Sequence, residues 1–123
     1  MLIVIYEKPP SVPPPEPEPE PENLHEKYID HCFERACKIR LVKQVIVMNA
    51  EGHPVRSTIA NSNDTVTAAG LYASLKDKAS YFVNSLDADD EFLMLRIKTR
   101  HNEAIISTDP EHGLLFIVVQ VPE

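Results

Sequence analysis

The alternation Pro15-Glu16-Pro17-Glu18-Pro19-Glu20-Pro21-Glu22 rules out both regular secondary structures over its length. Every second residue lacks an amide donor and the glutamates repel one another, so extended polyproline II is the conformation that remains. The bias is local: 8 of the 11 prolines fall within the first 23 residues, with five acids (Glu7, Glu16, Glu18, Glu20, Glu22) against one base, Lys8. The chain therefore divides into a disordered Pro/Glu-rich tail, residues 1–23, and one folded domain, residues 24–123. At ~3.1 Å per residue, the stretch 9–22 reaches about 43 Å, whereas a 100-residue domain has a radius of gyration of only ~13 Å. Such a tail can cross the whole domain. Its head, Leu2-Ile3-Val4-Ile5-Tyr6, has strong β propensity and suits addition to a sheet edge; remaining free is the ordinary fate of a chain end.

The other 100 residues hold 14 acids and 11 bases, with no basic stripe. That balance lacks the electrostatic footprint for holding phosphates, which argues against nucleic acid as a partner. No apolar run approaches the ~20 residues a spanning helix needs, and the head segment is too short for a signal-peptide core. No membrane role is expected, and the location implied is cytoplasmic. Cys32 and Cys37, five apart on a helix, stand roughly 7.5 Å apart along its axis and about 140° around it. A disulfide cannot close across that gap, so free thiols in a reducing compartment are expected.

Periodicity then sets out the elements. Residues 24–39 read as a helix with Asn23 as N-cap, Glu26 in the capping-box position, and a stripe of Ile29, Cys32, Phe33, Ala36 and Cys37. Residues 41–48 turn to strand character around the apolar run Val45-Ile46-Val47-Met48. Asn49-Ala50-Glu51-Gly52 is a hairpin turn, and residues 53–59 form a second strand that Pro54 places near an edge. The cluster Asn61-Ser62-Asn63-Asp64 starts a long helix on which Ala68, Tyr72, Leu75, Ala79, Phe82 and Leu86 recur at helical spacing. Leu71 and Val83 make its stripe wider than one sheet face requires, leaving room for a second surface. Strands follow at 92–99, 103–108 and 114–121, with Leu93, Leu95 and Ile97 on one face of the first and Phe92, Met94, Arg96 and Lys98 on the other. The order α-β-β-α-β-β-β implies an α+β fold, a single mainly antiparallel five-stranded sheet with helices packed on it.

Signatures of catalysis are missing from the sequence. The five histidines show no zinc spacing, the cysteines are not CxxC, and three glycines cannot build a phosphate loop. The acidic run 87–91 lacks the glycine and spaced ligands of a calcium loop. No enzyme activity, cofactor or metal is expected.

One stretch is distinctive. Val45-Ile46-Val47-Met48-Asn49-Ala50-Glu51-Gly52-His53-Pro54-Val55-Arg56-Ser57-Thr58 resembles the first hairpin of the roadblock-type dynein light chains, an apolar strand followed by Asn-x-Glu-Gly-x-Pro, a basic residue and Ser-Thr. Leu95-Arg96-Ile97-Lys98 with Asn102-Glu103, and Phe116-Ile117-Val118-Val119-Gln120 before Pro122, match further on in the same order. The likeness covers roughly residues 26–123. Three departures stand out: a somewhat longer turn at 109–113, Leu41 and Gln44 where the family often has glycine, and the Pro/Glu tail.

The resemblance implies a roadblock/profilin-like sheet of order 2-1-5-4-3 and a homodimer, or a heterodimer with a paralogue. Two copies would join their third strands, with the long helices side by side. Phe92, Met94, Arg96, Lys98, Leu71, Tyr72, Leu75 and Phe82 are the residues so placed at a dimer interface. It further implies a non-enzymatic subunit of the dynein motor, cytoplasmic or axonemal, that binds the intermediate chain and serves microtubule-based transport in association with the cytoskeleton. The alternative is a roadblock-type scaffold regulating a small GTPase, as related modules do in bacterial polarity and lysosomal signalling.

Overall fold

The computed structural model describes residues 21–122. Seven elements follow in order: α1 (Pro21–Cys37), β1 (Val42–Asn49), β2 (Pro54–Ser57), α2 (Ser62–Leu86), β3 (Met94–Lys98), β4 (Glu103–Asp109) and β5 (Leu114–Gln120). The strands form one sheet in the order β2-β1-β5-β4-β3, with every pair antiparallel. This is the α+β architecture expected from the sequence. The head of the tail, and most of its Pro/Glu run, lie outside the described residues.

α1 includes Pro21, so Asn23 lies within the helix and is not its N-cap. The local reason is that proline is tolerated in a first helical turn, where its missing N–H has no acceptor to lose. β3 is also shorter than expected, because Phe92 and Leu93 precede the ladder.

Side chains alternate across the sheet. Ile46, Met48, Ile106, Leu115 and Ile117 point to the α2 side and form the main core with Ala69 and Ala73. Val47 and Leu114 point the other way, where Ile29 of α1 packs on them with Phe33 and Phe116 at the margin. The continuous apolar run of β1 is thus the signature of a strand buried on both faces.

The hairpin from Asn49 to Thr58 has a local physical explanation. The Asn49 side-chain oxygen accepts from the amides of Glu51 (3.1 Å) and His53 (2.9 Å), tying the turn to its own first residue. Gly52 has φ 96°, and a Cβ there would stand 2.9 Å from the Cβ of Ala73. The turn is therefore tucked under α2, where positive φ and the close approach both demand glycine. Ser57 and Thr58 finish the motif: Thr58 Oγ1 accepts from the Val45 amide at 3.0 Å, and Ser57 Oγ accepts from the Ile59 amide at 2.9 Å.

Candidate interaction surface

α2 does not lie on the sheet by its largest side chains. Its buried residues are Thr65, Ala69 and Ala73, one position on from the expected stripe at Ala68 and Tyr72. One residue is 100° of rotation. Small residues let the helix sit close over Gly52; Tyr72 and Leu75 of the expected stripe pack at the core margin, while its far end and Leu71 stand clear as an exposed ridge. Leu71, Phe82 and Leu86 on that ridge are 68%, 62% and 73% exposed. Asn61 sets the helix start by accepting from the Asp64 amide at 3.1 Å, while Thr65 Oγ1 donates back towards the carbonyls of Ile59 and Asn61.

β3 is the edge of the sheet on the side that Tyr72 of α2 faces. Leu75 of α2 and Leu95 of β3 both pack at the margin of the core. Tyr72 lines a cleft with Ile97 and Ala104, and burial raises its hydroxyl above the ordinary tyrosine range. Among the described residues, the outer edge of β3 is open. Leu93 C=O accepts from Thr108 and the Thr99 amide donates to Asn102, so alternation gives Leu93, Leu95, Ile97 and Thr99 to β4. The main-chain N–H and C=O groups of Met94, Arg96 and Lys98 consequently face outward, with no strand beside them among the described residues.

Of the eight residues singled out from sequence, Met94, Arg96 and Lys98 lie on this open edge strand, and Leu71 and Phe82 on the exposed ridge. Tyr72 and Leu75 are half-buried between the two. Phe92 is a correction. It precedes the strand, is 8% exposed, and lines a cleft under α2 with Lys76, Ser80 and Leu115. Strand alternation, which put it on the Met94 face, begins only at Met94, two residues further on.

Two polar clusters were not anticipated. Arg96 donates through Nε and Nη2 to Oε2 of buried Glu103 (2.9 and 2.7 Å), and Gln120 donates to Oε1 at 3.2 Å. These bonds, Arg96 first, hold the Glu103 carboxyl below its ordinary range against the opposing effect of desolvation. Beneath α1, Tyr28 donates to Asp109 Oδ2, and His112 Nδ1 lies 3.0 Å from Oδ1 of the same carboxylate. The Tyr28 and His112 rings stack at 3.9 Å. Burial pushes the Asp109 carboxyl up, but the hydrogen bonds from Tyr28 and His112 outweigh it and leave the group below its ordinary range. Tyr28 and Asp109 are 81 residues apart, so no local pattern marks the pair.

Among the described residues, no group of His, Cys, Asp and Glu is arranged to hold a metal ion, and no helix is long and apolar enough to cross a membrane. What the surface offers is main-chain donors and acceptors beside an apolar ridge, the equipment for binding another chain.

Comparison with known proteins agrees with this geometry. The family model described as "Roadblock/LC7 domain" matches residues 29–120. Among solved structures, a Roadblock/LC7 domain from Streptomyces avermitilis superposes with a TM-score of 0.67 at 10% identity, covering 76% of this chain and 78% of that one. MglB from Myxococcus xanthus gives 0.63 at 19% identity, covering 76% of each. The gliding protein MglB of Thermus thermophilus gives 0.62 at 11% identity, covering 79% of this chain and 73% of that one. At such identities the likeness is one of fold.

Proposed function

The chain belongs to the Roadblock/LC7 domain family, and from that premise we propose that it is a non-catalytic module that pairs with a copy or paralogue of itself and serves as a light chain of the dynein motor, binding the intermediate chain. The observations that carry the pairing are the open outer edge of β3 and the apolar residues that α2 leaves exposed. An edge strand left bare beside apolar surface invites a second chain, and a copy brings both complements at once. The choice of the intermediate chain rests on the Asn49-to-Thr58 hairpin, whose sequence resembles the roadblock-type light chains, and it carries microtubule and cytoskeletal association with it.

A second reading, a scaffold that regulates a small GTPase, is supported by the fold-level likeness to the two MglB proteins. Multi-angle light scattering of the full chain should give twice its 13.9 kDa at micromolar concentration. Phe82→Asp should return it to a single chain with its melting temperature kept, and a wild-type monomer would sink the pairing. Calorimetry then separates the readings. A two-to-two complex with an intermediate-chain fragment supports the motor role, whereas saturable binding to a small GTPase without any such complex moves the chain to the second.

A further inference from the structure

The face that α2 turns to the sheet changes character half-way along. Thr65, Ala69 and Ala73 are buried, and helical spacing carries the same face on to Lys76 and Ser80, with Asn84 one turn further at its border. Apolar side chains at those positions would fill the space beneath the helix; these three leave it open under a polar roof. The sheet below stays apolar, with Phe92 and Leu115 both buried. Between roof and floor lies a cleft of about 400 Å³, within the ~300–1,000 Å³ usual for small-molecule sites. A Cβ added to Gly113, which lines it, would meet nothing within 4 Å. The cleft is therefore open beside the β4–β5 turn.

Charges of both signs stand around this space. The Lys76 side chain is only 23% exposed, and its one carboxylate within 4 Å among the described residues is Asp77, at 3.5 Å and itself 71% exposed. Asp90 and Glu91, from the loop before β3, supply the acids of the cleft. Asp90 Oδ1 accepts from the Glu91 amide at 2.8 Å, which fixes the carboxylate and leaves Oδ2 to a ligand. Neither acid has a cation within 4 Å among the described residues, Lys76 included. A cation and two carboxylates around one cavity, held apart and not paired, complement a molecule that carries both charges. A simple anion would meet the two acids, and a simple cation would meet Lys76.

We infer that this cleft binds a free zwitterionic α-amino acid with an apolar or aromatic side chain, its carboxylate at Lys76 and its ammonium at Asp90 and Glu91. Phe92 and Leu115 receive the side chain, and Ser80 and Asn84 offer hydrogen bonds along the roof. The cleft takes nothing from the β3 edge, so its occupancy is independent of pairing.

L-Phenylalanine titrated into the full chain and followed by amide NMR should saturate at one per chain, with a Kd of about 1 mM or below. The amides from Lys76 to Asn84 and from Asp90 to Phe92 should shift most. L-Phenylalanine amide, which lacks the carboxylate, should bind about tenfold more weakly, the worth of a hydrogen bond to a charged, half-buried group. Phenylpropionate, which lacks the ammonium, should lose only about threefold, because Asp90 and Glu91 are exposed and solvent screens them. Lys76→Gln should erase the preference over the amide and keep that over phenylpropionate; Asp90→Asn with Glu91→Gln should do the reverse. The second variant lies wholly on the surface, so it decides the matter even where the first disturbs the fold. Lack of saturation up to about 10 mM, shifts centred away from the cleft, or preferences that the surface variant leaves unchanged overturn the proposal. So does tighter binding of either analogue: phenylpropionate would give the cleft to simple carboxylates, and the amide would give it to cations.

Discussion

Gly52 and Gly113 both hold positive φ, 96° and 67°, yet only Gly52 is crowded. Gly113→Ala should cost about 1 kcal/mol, the strain of a left-handed side chain, whereas Gly52→Ala adds contact with Ala73 and should cost roughly 2 kcal/mol or more. Urea unfolding of the two variants checks the order. Leu41 is the converse case, a non-glycine at φ 68° and 42% exposed. Leu41→Gly should relieve roughly 1–2 kcal/mol of strain and lose part of that to glycine's freedom when unfolded, for a net gain of about 0.5 kcal/mol. At Tyr28, the hydrogen bond to Asp109, with burial and Cys32 behind it, raises the hydroxyl well above its ordinary 10.0. A raised folded value gives stability that is present below about pH 10 and is lost as pH climbs through it. Asp109 has the opposite sign: its depressed carboxyl gives stability present above about pH 4 and lost on acidification. Tyr28→Phe should then lower stability by about 1 kcal/mol at neutral pH and flatten the alkaline limb of a stability–pH curve. Asp109→Asn should flatten the acid limb.

At the scale of elements, what could be read from the sequence was whatever period and turn chemistry encode. The order of helices and strands, the hairpin at Asn49, the edge character of β2 and the Asn61 start of α2 all follow from residues adjacent in the chain. The rotation of α2 did not, because hydrophobicity ranks Leu75 and Phe82 above Ala69 and Ala73, while close approach to Gly52 reverses the choice. Distance in sequence hid the Tyr28–Asp109 pair, the Arg96–Glu103–Gln120 cluster needed the strand register, and Phe92 was misassigned because alternation cannot report where a ladder begins. The open strand edge was legible as an apolar hazard; which of its main-chain groups face outward needed the register. Ala69→Leu should cost roughly 1–3 kcal/mol by overpacking the small-residue contact. Leu71→Asp, on the ridge, should change stability by less than about 0.5 kcal/mol while weakening self-association. Thermal melts paired with sedimentation would separate the two effects, and equal destabilisation by both would contradict the rotation described.

For the whole molecule, the packed clusters among the described residues lie between Tyr28 and Val119, and the Pro/Glu run of the tail has little apolar surface to contribute. Removing residues 1–20 should shift the melting temperature by no more than a few degrees, the equivalent of less than about 1 kcal/mol at this size; a larger drop would show that the head segment is bound to the domain. The exposed ridge of α2 has a further consequence for how such a chain fares in a cell. Leu71, Phe82 and Leu86 are exposed on a chain that also carries an unpaired strand edge, which makes an unpartnered copy both adhesive and visible to the machinery that disposes of misfolded chains. A partner that covers the ridge withdraws that signal by mass action. The amount of this protein that persists is then set by the supply of whatever covers it, so that copies made in excess of their partners are the ones removed.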